Sequence, residues 1–90
     1  MFVKQLENAY LLRLEKGEEL IASLTQFAMQ YDINGAFMHG LGGASSAEIG
    51  IYRIDTDKEY HFSSFDGALE LISMNGNIAR ADGEIAIHAH

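Results

Sequence analysis

The 90-residue chain contains no cysteine, no proline and no tryptophan. Without cysteine there is no disulfide staple, no thiol nucleophile and no Cys-ligated zinc. Without proline, Gly, Asn and Asp are left to mark the turns. No apolar run approaches the roughly 20 residues that cross a bilayer, and Met1-Phe2-Val3-Lys4-Gln5-Leu6-Glu7 lacks the apolar core of a signal peptide. The expected compartment is the cytoplasm, with no membrane partner. Basic residues are also scarce, six against 13 Asp and Glu, for a formal net charge of −7 with His neutral. Lys4, Arg13, Lys16, Arg53, Lys58 and Arg80 form no cluster. Phosphate backbones, whose affinity is built from Lys and Arg, are therefore disfavoured as direct ligands.

What is present argues for one folded domain over residues 1–90. Hydrophobic residues make up 48% of the chain and charged ones only 21%, which excludes a disordered tail. A chain this short buries roughly 60–65% of its unfolded surface, so its core is modest.

A first strand is expected over Ala9–Leu14, where Tyr10, Leu12 and Leu14 share a face at period two. From Glu18 to Tyr31 the period changes: Leu20, Ile21, Leu24, Phe27, Ala28 and Tyr31 form one helical stripe. Glu18 and Glu19 are expected in the first turn, where the helix dipole favours negative charge, and Asp32-Ile33-Asn34-Gly35 ends the helix. Strands and turns follow. Ala36–Leu41 and Ala47–Ile54 flank a glycine joint, Gly40-Leu41-Gly42-Gly43, expected to be a tight bend. Asp55-Thr56-Asp57-Lys58 reads as a hairpin loop before Glu59–Phe65, and Asp66-Gly67 and Asp82-Gly83 as turns. A bulge at Asn75-Gly76 inside a long strand, Leu69–Arg80, precedes a last strand, Glu84–His90. The class is α+β, a mainly antiparallel sheet with one principal helix. Stopping within its last strand, the chain is expected to leave an edge that needs cover.

Most motif-like segments fail chemically. Gly40-Leu41-Gly42-Gly43-Ala44-Ser45 has Ser45 where a dinucleotide loop needs its third glycine, and no Lys follows. Gly43-Ala44-Ser45-Ser46-Ala47 lacks the last glycine of a nucleophile elbow, so Ser45 reads as a turn residue. His39 is expected to be partly buried and hydrogen-bonded, and His61 to lie on the outer face of its strand. Glu70, in a strand apolar on both faces, is expected either to pair with a cation or to be exposed at a subunit seam. His88-Ala89-His90 carries the most chemistry. Residues two apart in a strand share a face, so both imidazoles can approach one ion, and neutral imidazole suits zinc. Ile85, Ile87 and Ala89 take the other face.

Taken together, Arg13-Leu14-Glu15-Lys16-Gly17-Glu18-Glu19-Leu20, the helix after it, Gly40–Gly50, Gly67-Ala68-Leu69-Glu70-Leu71-Ile72-Ser73-Met74-Asn75-Gly76-Asn77-Ile78 and His88-Ala89-His90 resemble the PPC (plants and prokaryotes conserved) domain. The resemblance runs from about Tyr10 to His90. It implies an antiparallel α+β fold, assembly as a homotrimer and, in prokaryotes, a family labelled predicted DNA-binding. It also implies a metal site built on a His-x-His pair and a later histidine, in an architecture similar to acetolactate decarboxylase. Here the pair is His88 and His90. The segment carrying the later histidine, with the family's last strands, is absent from this sequence, so an incomplete zinc site is expected. Ala68 stands where plant members often carry Arg, and no AT-hook is present.

The function expected is that of an oligomeric binding or regulatory module with a histidine metal site, not an enzyme. The alternative is a small metal-dependent enzyme. DNA enters only through the family label, against the charge.

Overall fold

The computed structural model describes residues 1–90. It places five strands and one helix along the chain: β1 (Phe2–Gln5), β2 (Tyr10–Arg13), α1 (Leu20–Gln30), β3 (Gly35–Tyr52), β4 (Tyr60–Ala81) and β5 (Glu84–Ala89). β1 and β2 form an antiparallel ribbon with Phe2 opposite Arg13 and Gln5 opposite Tyr10. β3, β4 and β5 form a three-stranded sheet in that order. The expected α+β class is what is found. The chain falls into two compact units, Met1–Met38 with Asn75–His90, and His39–Met74.

In the first unit, α1 buries the centre of the predicted stripe. Leu24, Phe27 and Ala28 are buried with Ile78, while Ile21 and Tyr31 at the stripe's margins stay open. Phe27 sits between Tyr10 and Tyr31, with ring centroids 5.2 and 5.0 Å away, and the two tyrosine rings are 5.4 Å apart. Such aromatic packing adds to the area it buries.

Both ends of the helix are tied. Glu19 is the N-cap, its carboxylate accepting from the Ala22 N–H at 2.6 Å. Glu18 precedes it and accepts from the Met1 amine and from the Glu15 N–H, each at 2.7 Å. Neither acid therefore lies in the first turn, a correction to the expected start: Glu19 stands at the cap, where its carboxylate satisfies the orphan Ala22 N–H, and Glu18 lies one residue before it. At the other end Asp32 takes φ 54°. The Ile33 N–H then reaches the Ala28 carbonyl at 2.8 Å, the six-to-one bond of a Schellman cap. Arg80 locks this end to the β4–β5 turn. Its Nε donates to Asn34 Oδ1 at 2.7 Å and its Nη1 to the Gly83 carbonyl at 3.1 Å.

Glu18 yields the first expected outcome. The hydrogen bond from the Met1 amine, then the Glu15 N–H, holds its pKa below the ordinary 4.5. A carboxylate lowered on folding stabilises the fold above its unfolded value and loses that contribution as pH falls through the folded one. Glu18→Gln should therefore melt below the native chain at pH 7, and the gap should close as the pH drops below 4.5. Thermal melts of both chains between pH 7 and pH 3 measure this. A gap that stays constant with pH would mean the anchor does not depend on the charge.

In the second unit the strands run further than expected. β3 continues through Gly40-Leu41-Gly42-Gly43, and β4 continues through Asp66-Gly67, where Gly67 takes φ 123°. Two bends read from glycine are thus absent, because strand pairing carries the backbone across positions that in isolation signal turns. The loop at Asp55–Lys58 is confirmed. Arg53 and Glu59 close it through an N–H to carbonyl bond of 3.0 Å, and Lys58 takes φ 58°. Tyr52, Tyr60 and Phe62 follow one another as an exposed ring ladder, with centroids 5.1 and 5.9 Å apart. Met74 is this unit's only buried residue. The strand β1 was not foreseen, since Phe2–Gln5 is too short to show a period.

Candidate functional site

The Asp82-Gly83 turn sets the geometry of the site. Ala81 lies opposite Glu84, so the loop has two residues, and both take positive φ, 52° and 81°. That is the type I′ conformation whose twist suits paired strands. From this turn the register runs unbroken: Arg80 opposite Ile85, Ile78 opposite Ile87, Asn77 opposite His88, Gly76 opposite Ala89. Asn75 and His90 exchange both backbone hydrogen bonds, at 2.9 and 2.8 Å. The bulge expected at Asn75-Gly76 does not exist. Gly76 instead allows close approach: a Cβ there would collide with the His88 carbonyl oxygen and meet Ala89 Cα and Met38 Cε at 2.9 Å.

Unbroken register fixes the faces. Ile85 and Ile87 turn inward on the side where α1 packs against β5. His88 and His90, at alternate positions, are exposed on the opposite side. Their Nε2 atoms converge to 2.9 Å, with ring centroids 4.8 Å apart. Two nitrogens bound at about 2.0–2.1 Å to a tetrahedral ion lie roughly 3.3 Å apart, so a small opening of the pair fits one ion. The donor set, neutral aromatic nitrogen, suits a borderline divalent metal such as zinc. No third His, Cys, Asp or Glu joins them in a group that could hold a metal.

The other candidates lie elsewhere. His39 is exposed on β3, not partly buried as expected, because the alternation of its strand directs Met38 and Gly40 inward instead. His61 is half-buried rather than fully outward, and its Nε2 meets Asp57 Oδ2 at 2.7 Å. The other Asp57 oxygen accepts from the Glu59 N–H at 3.1 Å, so this pair staples the β3–β4 loop. Glu70 is exposed and borders a cleft of about 240 Å³ with Leu41, Gly42, Gly43, Leu71 and Ile72. A carboxylate beside the glycine pair repels phosphate, in line with the rejection of a phosphate loop.

The sequence reading missed Asn75 and Asn77 as neighbours of the imidazoles. The signal was available: a two-residue turn at Asp82-Gly83 sets Asn77 opposite His88 by counting. The supposed bulge obscured it.

Comparison with known proteins gives this geometry its context. Among curated proteins none matches the chain. Solved structures do. A "putative DNA-binding protein" from Ralstonia eutropha JMP134 is 30% identical with a TM-score of 0.90, over 98% of this chain and 60% of that one. A metal-containing protein from Archaeoglobus fulgidus is 31% identical with a TM-score of 0.81, over 87% and 55%. A plant- and prokaryote-conserved (PPC) protein from Pyrococcus horikoshii is 35% identical with a TM-score of 0.77, over 87% and 54%. The chain thus spans a little over half the length of these structures. The family model for the Plants and Prokaryotes Conserved (PCC) domain matches residues 1–90, and the chain belongs to that family.

Proposed function

We propose that the chain is a self-associating binding module, a homotrimer, in which His88 and His90 hold a divalent ion, zinc foremost. The observation that carries this reading is the convergence of the two Nε2 atoms to 2.9 Å on an exposed strand face. The Archaeoglobus fulgidus relative, described as metal-containing, supports it. Self-association is supported by surface. Large apolar side chains lie open, with Phe37, Leu41 and Ile72 at least 80% exposed. Areas of that kind mark interfaces. DNA, named for two of the solved relatives, is the weaker ligand reading, since the net charge is −7 and Arg80 is already engaged by Asn34 and Gly83.

Zinc titration of the native chain and of His88→Ala/His90→Ala, combined with light scattering, tests the reading. The native chain should bind zinc at least tenfold more tightly than the double variant. Binding should weaken in acid, where protons compete for the same nitrogens. Both chains should scatter at three times the mass of the monomer. Equal zinc affinity would reduce the pair to a polar strand face, and a monomeric mass would reject the assembly.

A further inference from the structure

Tyr52, Tyr60 and Phe62 form a continuous row of rings within the second unit, with centroids 5.1 and 5.9 Å apart along it. Each keeps much of its surface open, 46, 57 and 63% respectively. Gly50 holds the far end of the row. The Phe62 ring lies over it so closely that a Cβ there would stand 2.7 Å from the ring, and glycine has no side chain to lift it. The Tyr60 and Phe62 planes differ by only 21°. Packing across β3 and β4 therefore fixes the rings beside one another, and a partner meets a surface that is already ordered.

Charge selects what such a surface accepts. The unit His39–Met74 exposes six carboxylates, Glu48, Asp55, Asp57, Glu59, Asp66 and Glu70, against two cations, Arg53 and Lys58. Asp57 is paired with His61, and the other five make no ion pair. Glu48 lies two residues before Gly50 on β3, so it leaves the same face as Gly50 and Tyr52. Asp55 stands in the loop at the other end of the row, between Tyr52 and Tyr60. A second copy would bring the same carboxylates to this surface, and a phosphate chain is repelled by them. A cation is drawn by both parts, by the ring faces through their quadrupole and by the carboxylates through charge. Guanidinium suits the pair better than ammonium, because it is planar, stacks on aromatic faces and is more weakly hydrated.

We propose that the Tyr52–Tyr60–Phe62 row is a docking surface for an arginine-rich segment of another protein. Guanidinium groups stack on the rings, and Glu48 and Asp55 supply the flanking charge. None of these residues belongs to the histidine pair or to the side chains on which self-association rests, so this assignment does not depend on either.

Fluorescence anisotropy tests it. Labelled octa-arginine, octa-lysine and oligothymidylate are each titrated with the native chain, with Tyr60→Leu/Phe62→Leu and with Glu48→Gln/Asp55→Asn, and the mass of each chain is read by light scattering. Leucine keeps apolar area on the strand and removes the π faces. The native chain should bind octa-arginine saturably, at least about threefold more tightly than octa-lysine. The leucine variant should bind octa-arginine at least about fivefold more weakly and lose the preference over lysine, as expected for two exposed cation–π contacts. The amide variant should weaken both peptides alike. Undiminished octa-arginine binding by the leucine variant, or equal binding of the two peptides by the native chain, overturns the stacking and leaves only the attraction of net charge. An amide variant that binds like the native chain overturns the part given to Glu48 and Asp55. Tighter binding of oligothymidylate than of octa-arginine overturns the class of partner in favour of stacked bases. A leucine variant of lower mass than the native chain makes the row a seam between copies and overturns the proposal.

Discussion

Gly76→Ala should lower the thermal midpoint by more than 10 °C and displace both imidazoles. The added methyl meets backbone on two sides, the His88 carbonyl oxygen and Ala89 Cα, and neither can rotate away as a side chain end could. Overpacking of this kind costs about 3 kcal/mol when the neighbours are rigid. At about 4–8 °C per kcal/mol for a domain of this size, the shift is large. Gly35→Ala is the matched control, since a Cβ there has nothing within 4 Å. It should cost less than about 0.5 kcal/mol and so move the midpoint by less than about 4 °C. Calorimetry with imidazole proton spectra of the three chains reads both effects. Similar midpoints for the two variants would show that β4 and β5 have room to separate, and the close approach would then not position the site.

Phe27→Ala should be as severe for the first unit. The ring is 4% exposed and touches both Tyr10 and Tyr31. Removing a buried phenyl costs about 3–5 kcal/mol, and a chain of this length has a total stability of roughly 5–13 kcal/mol. Leu11→Ala, at a residue 62% exposed, should cost under about 0.5 kcal/mol. Urea unfolding measures both. A loss below about 1 kcal/mol at Phe27 would mean that the three-ring cluster does not carry the core.

The contrast between these residues explains how far the sequence could be read. The stripe Leu24–Phe27–Ala28 was legible because helical period and burial agree over three turns, and one face of α1 has a core to meet. Asp82-Gly83 was legible because both positive φ values are required by a two-residue hairpin. Gly40–Gly43 and Asp66-Gly67 misled because glycine permits a turn without requiring one, and pairing along β3 and β4 decided otherwise. Glu18 and Glu19 were read as part of the first turn, whereas Glu19 caps the helix by accepting from the Ala22 N–H and Glu18 turns back to the Glu15 N–H. At the site, the same-face placement of His88 and His90 followed from period two. Their convergence did not, because rotamers are not written in spacing, and Asn75 and Asn77 required a register that a presumed bulge had hidden.

The two-residue turn also has a kinetic consequence. Asn75, Asn77, His88 and His90 all lie within the sixteen residues from Asn75 to His90, folded back on themselves by Asp82-Gly83. Closing so short a loop costs little chain entropy, and hairpins of this kind form in about 1–10 μs. An isolated hairpin is marginal in water, however, and persists only when something packs on its apolar side. Here that something is α1, docked on β5 behind the imidazoles. The hairpin can therefore bring the two imidazoles together early in folding, and the docking of α1 is what retains it.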